Sequence, residues 1–204
     1  MLIRGLNEPL LVISDRNPGL RRAIRECFPR SFRQHCQVHK MRNILSRLPR
    51  SMQAQMNRLL GMVFRAKSYE KGIKLGRELI KQFKDRFPAA MECLEKDLEE
   101  TLTCLKFPQR HRKVIRTTNL LERLIQEAKR RAKVVPRFPT ESSCIILMYS
   151  VMVDASRRWQ GVKMTLKVTA ELERLWEERG LKPSYKTEGL MIEKEEERVL
   201  AVAG

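Results

Sequence analysis

Four short stretches of this 204-residue chain carry side chains equipped for chemistry. In the first, the apolar run Leu10-Leu11-Val12-Ile13 ends in Ser14-Asp15. A carboxylate leaving the end of a buried strand is held rigidly at the mouth of a cleft, where it can ligate a divalent cation. Asp15 is equally suited to starting the turn that Asn17-Pro18-Gly19 completes. In the second, Cys36-Gln37-Val38-His39 sets a thiol and an imidazole at a spacing that zinc uses. Structural zinc takes four ligands, however, and no second pair stands near in sequence. The distant Cys104 and His111 do not form a compact pair, so a buried cysteine beside a hydrogen-bonded histidine is the competing reading.

In the third stretch, Asn119 precedes Glu122 by three residues, which is capping-box spacing. Glu122 is nonetheless an acid surrounded by Arg116, Arg123, Lys129, Arg130 and Arg131. A lone carboxylate in a surface that attracts phosphate repels DNA unless a cation bridges the two. The fourth stretch is Lys129-Arg130-Arg131 with Lys133. It reads as a solvated helix face or as a phosphate contact, and the local surplus of charge favours phosphate. Trp159 and Trp176 could stack on bases, but at the ends of amphipathic helices they serve more often as core or interface anchors.

Charge supports a polyanionic partner. The chain holds 42 Lys+Arg against 24 Asp+Glu, a formal net charge of +18. Residues 1–50 carry eleven basic and three acidic side chains, and residues 106–137 carry eleven and two, with a nearly neutral stretch between. Two separated basic blocks suit a groove better than a basic tail. The longest apolar stretch, from Cys144 to Val153, is too short to span a bilayer and reads as a buried helix, so no membrane partner is expected. Five cysteines without regular spacing argue for a reducing compartment, which points to the cytoplasm.

The elements that must position these residues follow from apolar periodicity. A short strand ends at Ile13, a helix runs from Gly19 to Phe28, and a second strand covers Gln34 to Val38. A helix carrying Met41, Ile44, Leu45 and Leu48 stops at Pro49. From Ser51 to Lys106 the pattern is wholly helical, with stripes Met56/Leu59/Leu60/Val63, Ile73/Leu79/Ile80/Phe83 and Met91/Leu94/Leu98/Leu102/Leu105. A basic segment follows Phe107-Pro108, then a helix from Asn119 that Pro136 and Pro139 end. Thr140 caps the next, which runs to about Trp159. A last helix carries Leu166, Leu172, Leu175 and Trp176 and closes at Gly180. The expected class is α/β, predominantly helical, divided into 1–50, a helical insertion at 51–106, further helices at 107–180 and a loosely ordered polar tail at 181–204.

In this order, three segments resemble the Mutator-type transposases of bacterial insertion sequences. They are Leu11-Val12-Ile13-Ser14-Asp15 with Pro18-Gly19-Leu20, then Cys36-x-x-His39 with Arg42-Asn43, then Asn119-x-x-Glu122-Arg123 with Glu127 and Lys129-Arg130-Arg131. The resemblance implies a ribonuclease-H-like fold, incomplete here, whose acids hold two Mg²⁺ ions for phosphoryl transfer on double-stranded DNA. By position it makes Asp15 and Glu122 catalytic metal ligands, with Cys36, His39, Asn119 and Arg123 in support. Arg42, Lys113, Arg116, Lys129, Arg130, Arg131 and Lys133 are then expected on DNA.

The chain also departs from that pattern. No Asp precedes Asp15, and Arg16 stands where the resemblance leads one to expect Gly. Ile125 and Ala128 differ from the usual residues of the glutamate helix. These departures suggest a truncated or decaying copy with an incomplete Mg²⁺ site and little nicking or strand-transfer activity of its own. The alternative is a catalytically dead DNA-binding or assembly module that forms homo-oligomers or mixed assemblies with an intact transposase. An RNA-binding reading rests on charge alone.

Overall fold

The computed structural model describes residues 6–15, 17–159 and 161–182. Arg16 and the tail from 183 onward, two subjects of the sequence reading, lie outside the described residues. Leu11–Ser14 forms β1 and Phe32–His35 forms β2. The strands are parallel, with Leu11 opposite Phe32 and Ser14 opposite His35, so both C-terminal ends emerge on the same side. A parallel pair needs a crossover, and α1 (Pro18–Cys27) supplies it. The Asn17 side chain accepts from the Leu20 N–H to cap α1, and Pro18 occupies the first turn, where its missing N–H costs nothing. The second strand lies two residues earlier than its sequence signal at Gln34–Val38. Cys36 already caps α2 (Gln37–Leu45), and that puts Val38 in a helix.

The insertion is helical as expected: α3 (Arg50–Phe64), α4 (Tyr69–Phe83), α5 (Pro88–Lys96), α6 (Leu98–Leu102) and a 3₁₀ turn at Thr103–Lys106. Its three apolar stripes converge, and Met56, Leu60, Met91, Leu94 and Leu102 are completely buried. Gly72 and Gly76 let α6 and the 3₁₀ turn approach α4 closely. A Cβ at 76 would sit 2.8 Å from Leu98 Cδ1, and one at 72 would sit 2.8 Å from Leu105 Cδ1.

A polar seam joins the insertion to the sheet. Gln34 Nε2 donates to the Thr101 carbonyl at 2.8 Å, and its Oε1 accepts from the Cys104 N–H at 2.6 Å. Gln37 Nε2 donates to the same Thr101 carbonyl at 3.1 Å. Lys40, fully buried on α2, donates to the Cys93 carbonyl and to Asp97 Oδ2, the latter at 3.2 Å. Arg21 on α1 reaches Asp97 Oδ1 at 3.1 Å. Burial pushes the Asp97 carboxyl upward, but Lys40, Arg21 and His35 outweigh it and hold it below the usual carboxylate range.

Beside the sheet lies α10 (Leu166–Glu178), whose Leu172, Leu175 and Trp176 cluster with Leu10, Phe32 and Phe107. Trp176 is thus a core residue. Gly180, with φ +59°, ends the helix in the left-handed conformation that glycine adopts without strain.

The basic segment holds a helix that sequence reading left out, α7 (Gln109–Ile115), which buries none of its residues and so lacks an apolar stripe. α8 (Asn119–Lys133) and α9 (Glu141–Arg157) follow. The side chain of Thr140 caps α9 by accepting from the Ser143 N–H. α9 was expected to be buried, yet Val151 is its one buried residue. Ile145, Ile146 and Tyr149 are 58%, 64% and 68% exposed, because α9 packs chiefly on α8 and away from both cores. No helix among the described residues is long and apolar enough to cross a membrane.

Asp97→Asn keeps the shape and leaves Lys40 buried without its counter-charge. Urea unfolding at neutral pH should show a loss of about 3 kcal/mol. Because the folded Asp97 pKa is lowered, its contribution is complete above the unfolded aspartate pKa and is lost as pH falls through the folded value. The gap between wild type and variant should therefore narrow below about pH 4. Equal urea midpoints at neutral pH would remove the seam from the energetics of docking.

Candidate functional site

Strand pairing brings the first two motifs together. The Ser14 carbonyl accepts from the Cys36 N–H at 2.9 Å, so Asp15 leaves β1 alongside the start of α2. Asp15 Oδ1 accepts from the Asn17 N–H at 3.1 Å, which is the turn-starting role. Its Oδ2 takes no part in that bond. Cys36 is completely buried at the N-cap of α2, and His39 follows one turn later.

The third motif arrives from far along the chain. The Gln37 N–H donates to the Arg116 carbonyl at 3.0 Å, pinning the α7–α8 turn onto the first turn of α2. Thr118 then places its N–H and its Oγ1 each 3.4 Å from Cys36 Sγ, and its Oγ1 is 2.6 Å from Glu122 Oε1. A hydroxyl has one proton, and the shorter contact with a carboxylate claims it; the backbone N–H serves the sulfur. Asn119 was expected to cap this helix with Glu122 in its box. Thr118 occupies the N-cap instead, Asn119 is the first helical residue, and the bond from Thr118 to Glu122 joins two side chains.

His39 Nδ1 lies 3.8 Å from Glu122 Oε1. It is buried and reaches hydrogen-bond geometry with neither Glu122 nor the thiol. The ligand atoms of Cys36, His39 and Glu122 all lie within 4.8 Å of one another. Asp15 stands at the adjoining strand end, outside this compact group. Burial pushes the Cys36 thiol up, but Thr118 and the close His39 backbone and ring outweigh it, so the net shift is downward.

Beside the cluster opens a cleft of about 1040 Å³. Five residues singled out in the sequence line it: Arg42, Lys113, Arg116, Asn119 and Arg123. Lys129, Arg130, Arg131 and Lys133 do not; they lie further along α8. There Arg130 and Arg131 grip Glu127 at 2.8 and 2.9 Å. Those hydrogen bonds hold the Glu127 carboxyl at about 2, so at neutral pH it cancels part of the run's charge. Sequence reading missed Arg65 at the end of α3 and Arg158 at the end of α9, which both face the cleft. No local pattern marks them, because only tertiary packing brings the ends of those helices beside α2. Trp159, 48% exposed, lines the same cleft.

The family described as "Transposase, Mutator family" matches residues 2–162. The chain is 33% identical over 156 residues to the transposase for insertion sequence element ISRM5 of Rhizobium meliloti, covering 76% of this chain and 39% of that protein. It is 32% identical over 166 residues to the transposase for element IST2 of Acidithiobacillus ferrooxidans, covering 81% and 56%. Against the transposase for IS256 in transposon Tn4001 of Staphylococcus aureus, identity is 31% over 158 residues, covering 76% and 40%. The matches thus span between about two fifths and just over half of these relatives' lengths.

Two buried thiols should titrate far apart. With ¹³C-labelled cysteine, the Cβ shift of Cys36 should move at a pH below that of an ordinary thiol, while burial pushes Cys104 up to about 11. A Cys36 midpoint at or above the ordinary thiol value would contradict the geometry around the sulfur.

Proposed function

The chain belongs to the Mutator family of transposases, and from that premise we propose that it binds double-stranded DNA in the cleft beside Glu122 and takes part in phosphoryl transfer there. The observation that carries this reading is convergence. Arg42, Arg65, Lys113, Arg116, Arg123 and Arg158, from five helices and the turn after α7, line one cleft at the site where Glu122 and Cys36 meet. Phosphate oxygens are attracted by this concentration of guanidinium and ammonium groups. Exposed Trp159 offers a ring face to a base or sugar.

In this reading β1, α1 and β2 are part of a ribonuclease-H-like fold, supported by the parallel pair and its helical crossover. Asp15 and Glu122 would be the oxygen ligands for Mg²⁺. Their hydrogen bonds to Asn17 and Thr118 use Oδ1 and Oε1, which leaves Oδ2 and Oε2 for ligation. When bound, Mg²⁺ supplies Lewis-acid stabilisation of the charge that develops on phosphoryl oxygens. The protein's own residues hold and orient. Thr118 fixes the Glu122 carboxylate, the bond between Gln37 and Arg116 fixes Thr118, and the cations of the cleft hold the DNA backbone. Such chemistry belongs in the bacterial cytoplasm, where the DNA is.

A second reading, a DNA-binding or assembly module without catalysis, is favoured by one observation. Among the described residues, Glu122 is the single carboxylate in the compact group of potential ligands.

Duplex binding measured across a salt series separates these readings from the rest. The logarithm of affinity should fall with log salt by roughly 0.9 for each phosphate neutralised. Replacing Arg65, Arg116 and Arg123 by Ala should weaken binding and flatten that slope. A slope near zero would overturn both DNA readings. Cleavage of element-end DNA with Mg²⁺ that is abolished in Glu122→Gln selects the catalytic reading; salt-sensitive binding that survives Glu122→Gln without any cleavage selects the module.

A further inference from the structure

We propose that Cys36, His39 and Glu122 form a binding site for a soft divalent cation of the Zn²⁺ class. The sequence offers only the pair Cys36 and His39, and zinc needs more. The fold supplies the third ligand from α8, with all three donor atoms within 4.8 Å of one another. A contraction of about an ångström brings them to the edges of a tetrahedron with metal–ligand bonds of about 2.0–2.3 Å.

The donor chemistry discriminates between metals. Thiolate, imidazole and a single carboxylate suit zinc and its neighbours, whereas Mg²⁺ takes oxygen ligands in octahedral geometry. A second observation points the same way. His39 Nδ1 is buried, has no hydrogen-bond partner, and is turned toward Glu122 at 3.8 Å. A buried ring nitrogen in that state carries a desolvation cost that ligation removes. Thr118 acts as the outer partner, with its N–H toward Sγ and its hydroxyl on Glu122 Oε1, so the thiol and the carboxylate are oriented before a cation arrives.

The thiol sits on the floor of the site at the start of α2, where the helix N-terminus favours the thiolate. His39 and Glu122 form the rim, with side chains 33% and 39% exposed, so the fourth coordination position opens to solvent. Binding takes the proton from the Cys36 thiol and releases it to solvent. A cation held here occupies Glu122, and so excludes that carboxylate from an oxygen-only Mg²⁺ site. The site shares this residue with the DNA reading but does not rest on it.

Cobalt reports the site directly. Metal-free protein prepared with a chelator and a phosphine reductant is titrated with Co²⁺. One equivalent should produce a near-ultraviolet thiolate-to-cobalt charge-transfer band together with the visible bands of tetrahedral Co²⁺, and Zn²⁺ should bleach both. Cys36→Ser should abolish the charge-transfer band, and His39→Ala and Glu122→Gln should each weaken Co²⁺ affinity roughly tenfold or more. The double variant Cys27→Ser/Cys144→Ser, which removes the more accessible thiols, should keep the band. Far-ultraviolet circular dichroism checks each fold; if Cys36→Ser does not fold, the other two variants decide. No charge-transfer band in excess Co²⁺, a band that survives Cys36→Ser, or affinity unchanged in His39→Ala and Glu122→Gln would each overturn the site. Duplex binding at varied salt is a separate measurement, so either idea can fail while the other stands.

Discussion

The buried ion pair between Lys40 and Asp97 is the constraint on which the rest of the molecule depends. Lys40 is on α2, immediately after the Cys36–His39 motif, and Asp97 lies between α5 and α6 in the helical insertion. Neither can be solvated where it sits, since their side chains are 0% and 2% exposed. A buried charge is tolerable only with its partner in place, so α2 and the insertion dock in one arrangement. Gln34 and Gln37 extend the same logic, because their side-chain amides satisfy backbone groups at Thr101 and Cys104 that packing has removed from water. Apolar contacts alone would supply stability with less control over register. The polar seam fixes which turn of the insertion meets which turn of α2.

A second, smaller lock follows from the first. Once α2 is fixed, its free N-terminal N–H groups become docking points for later chain. The Arg116 carbonyl takes that of Gln37, and Thr118 is thereby delivered to the Cys36 sulfur. The C-terminal end of β1 and the start of α8 are thus neighbours through a series of hydrogen bonds and not through a shared hydrophobic core. This accounts for a site whose floor is rigid and whose rim is open. It also accounts for α8 and α9 leaving so much apolar surface uncovered, since their anchorage to the body is polar and confined to one end.

Much of this was legible in the sequence, for identifiable reasons. β1 and the insertion helices announce themselves by apolar runs and 3.6-residue stripes, and Met56, Leu60, Leu94 and Leu102 went to the core as those stripes require. Trp176 did the same. Thr140 capped its helix because local side-chain chemistry suffices there, whereas Asn17, read as part of a turn, proved to be the cap of α1. The failures have physical causes as well. The second strand was placed two residues late because Val38 favours strand by type, while α2 begins at Gln37, whose N–H is satisfied by the distant Arg116 carbonyl. α9 has the composition of a buried helix and lacks the neighbours to bury it. Asn119 looked like the cap, but the Thr118 N–H is held by the Cys36 sulfur and Thr118 takes that position. At the site, the sequence showed which residue types were available but not that Glu122 would approach Cys36 and His39, since the two segments are separated by the whole insertion. Arg65 and Arg158 were invisible for the same reason.

The charge distribution ties the seam to the cleft. The insertion is nearly neutral along its length, yet it contributes Arg65 to the cleft wall, and the other cations come from α2, the α7–α8 region and the end of α9. Six cations share that wall and would repel one another if nothing held them. Arg158 is paired with Asp154 on the preceding turn, but among the described residues no ion pair is found for Arg42, Arg65, Lys113, Arg116 or Arg123, so the repulsion between those five is borne by packing and by the polar seam. Arg130 and Arg131 show the contrast: they have Glu127 at hand, pair with it, and lie outside the cleft. Cations left uncompensated in a concave surface keep their full attraction for an external polyanion. Glu122, next to the cleft-lining Arg123 on α8, is held by Thr118 and approached by a histidine, and no arginine pairs with it among the described residues. A carboxylate kept clear of arginine is not neutralised by ion pairing with it, and that sets Glu122 apart from Glu127, which two arginines hold.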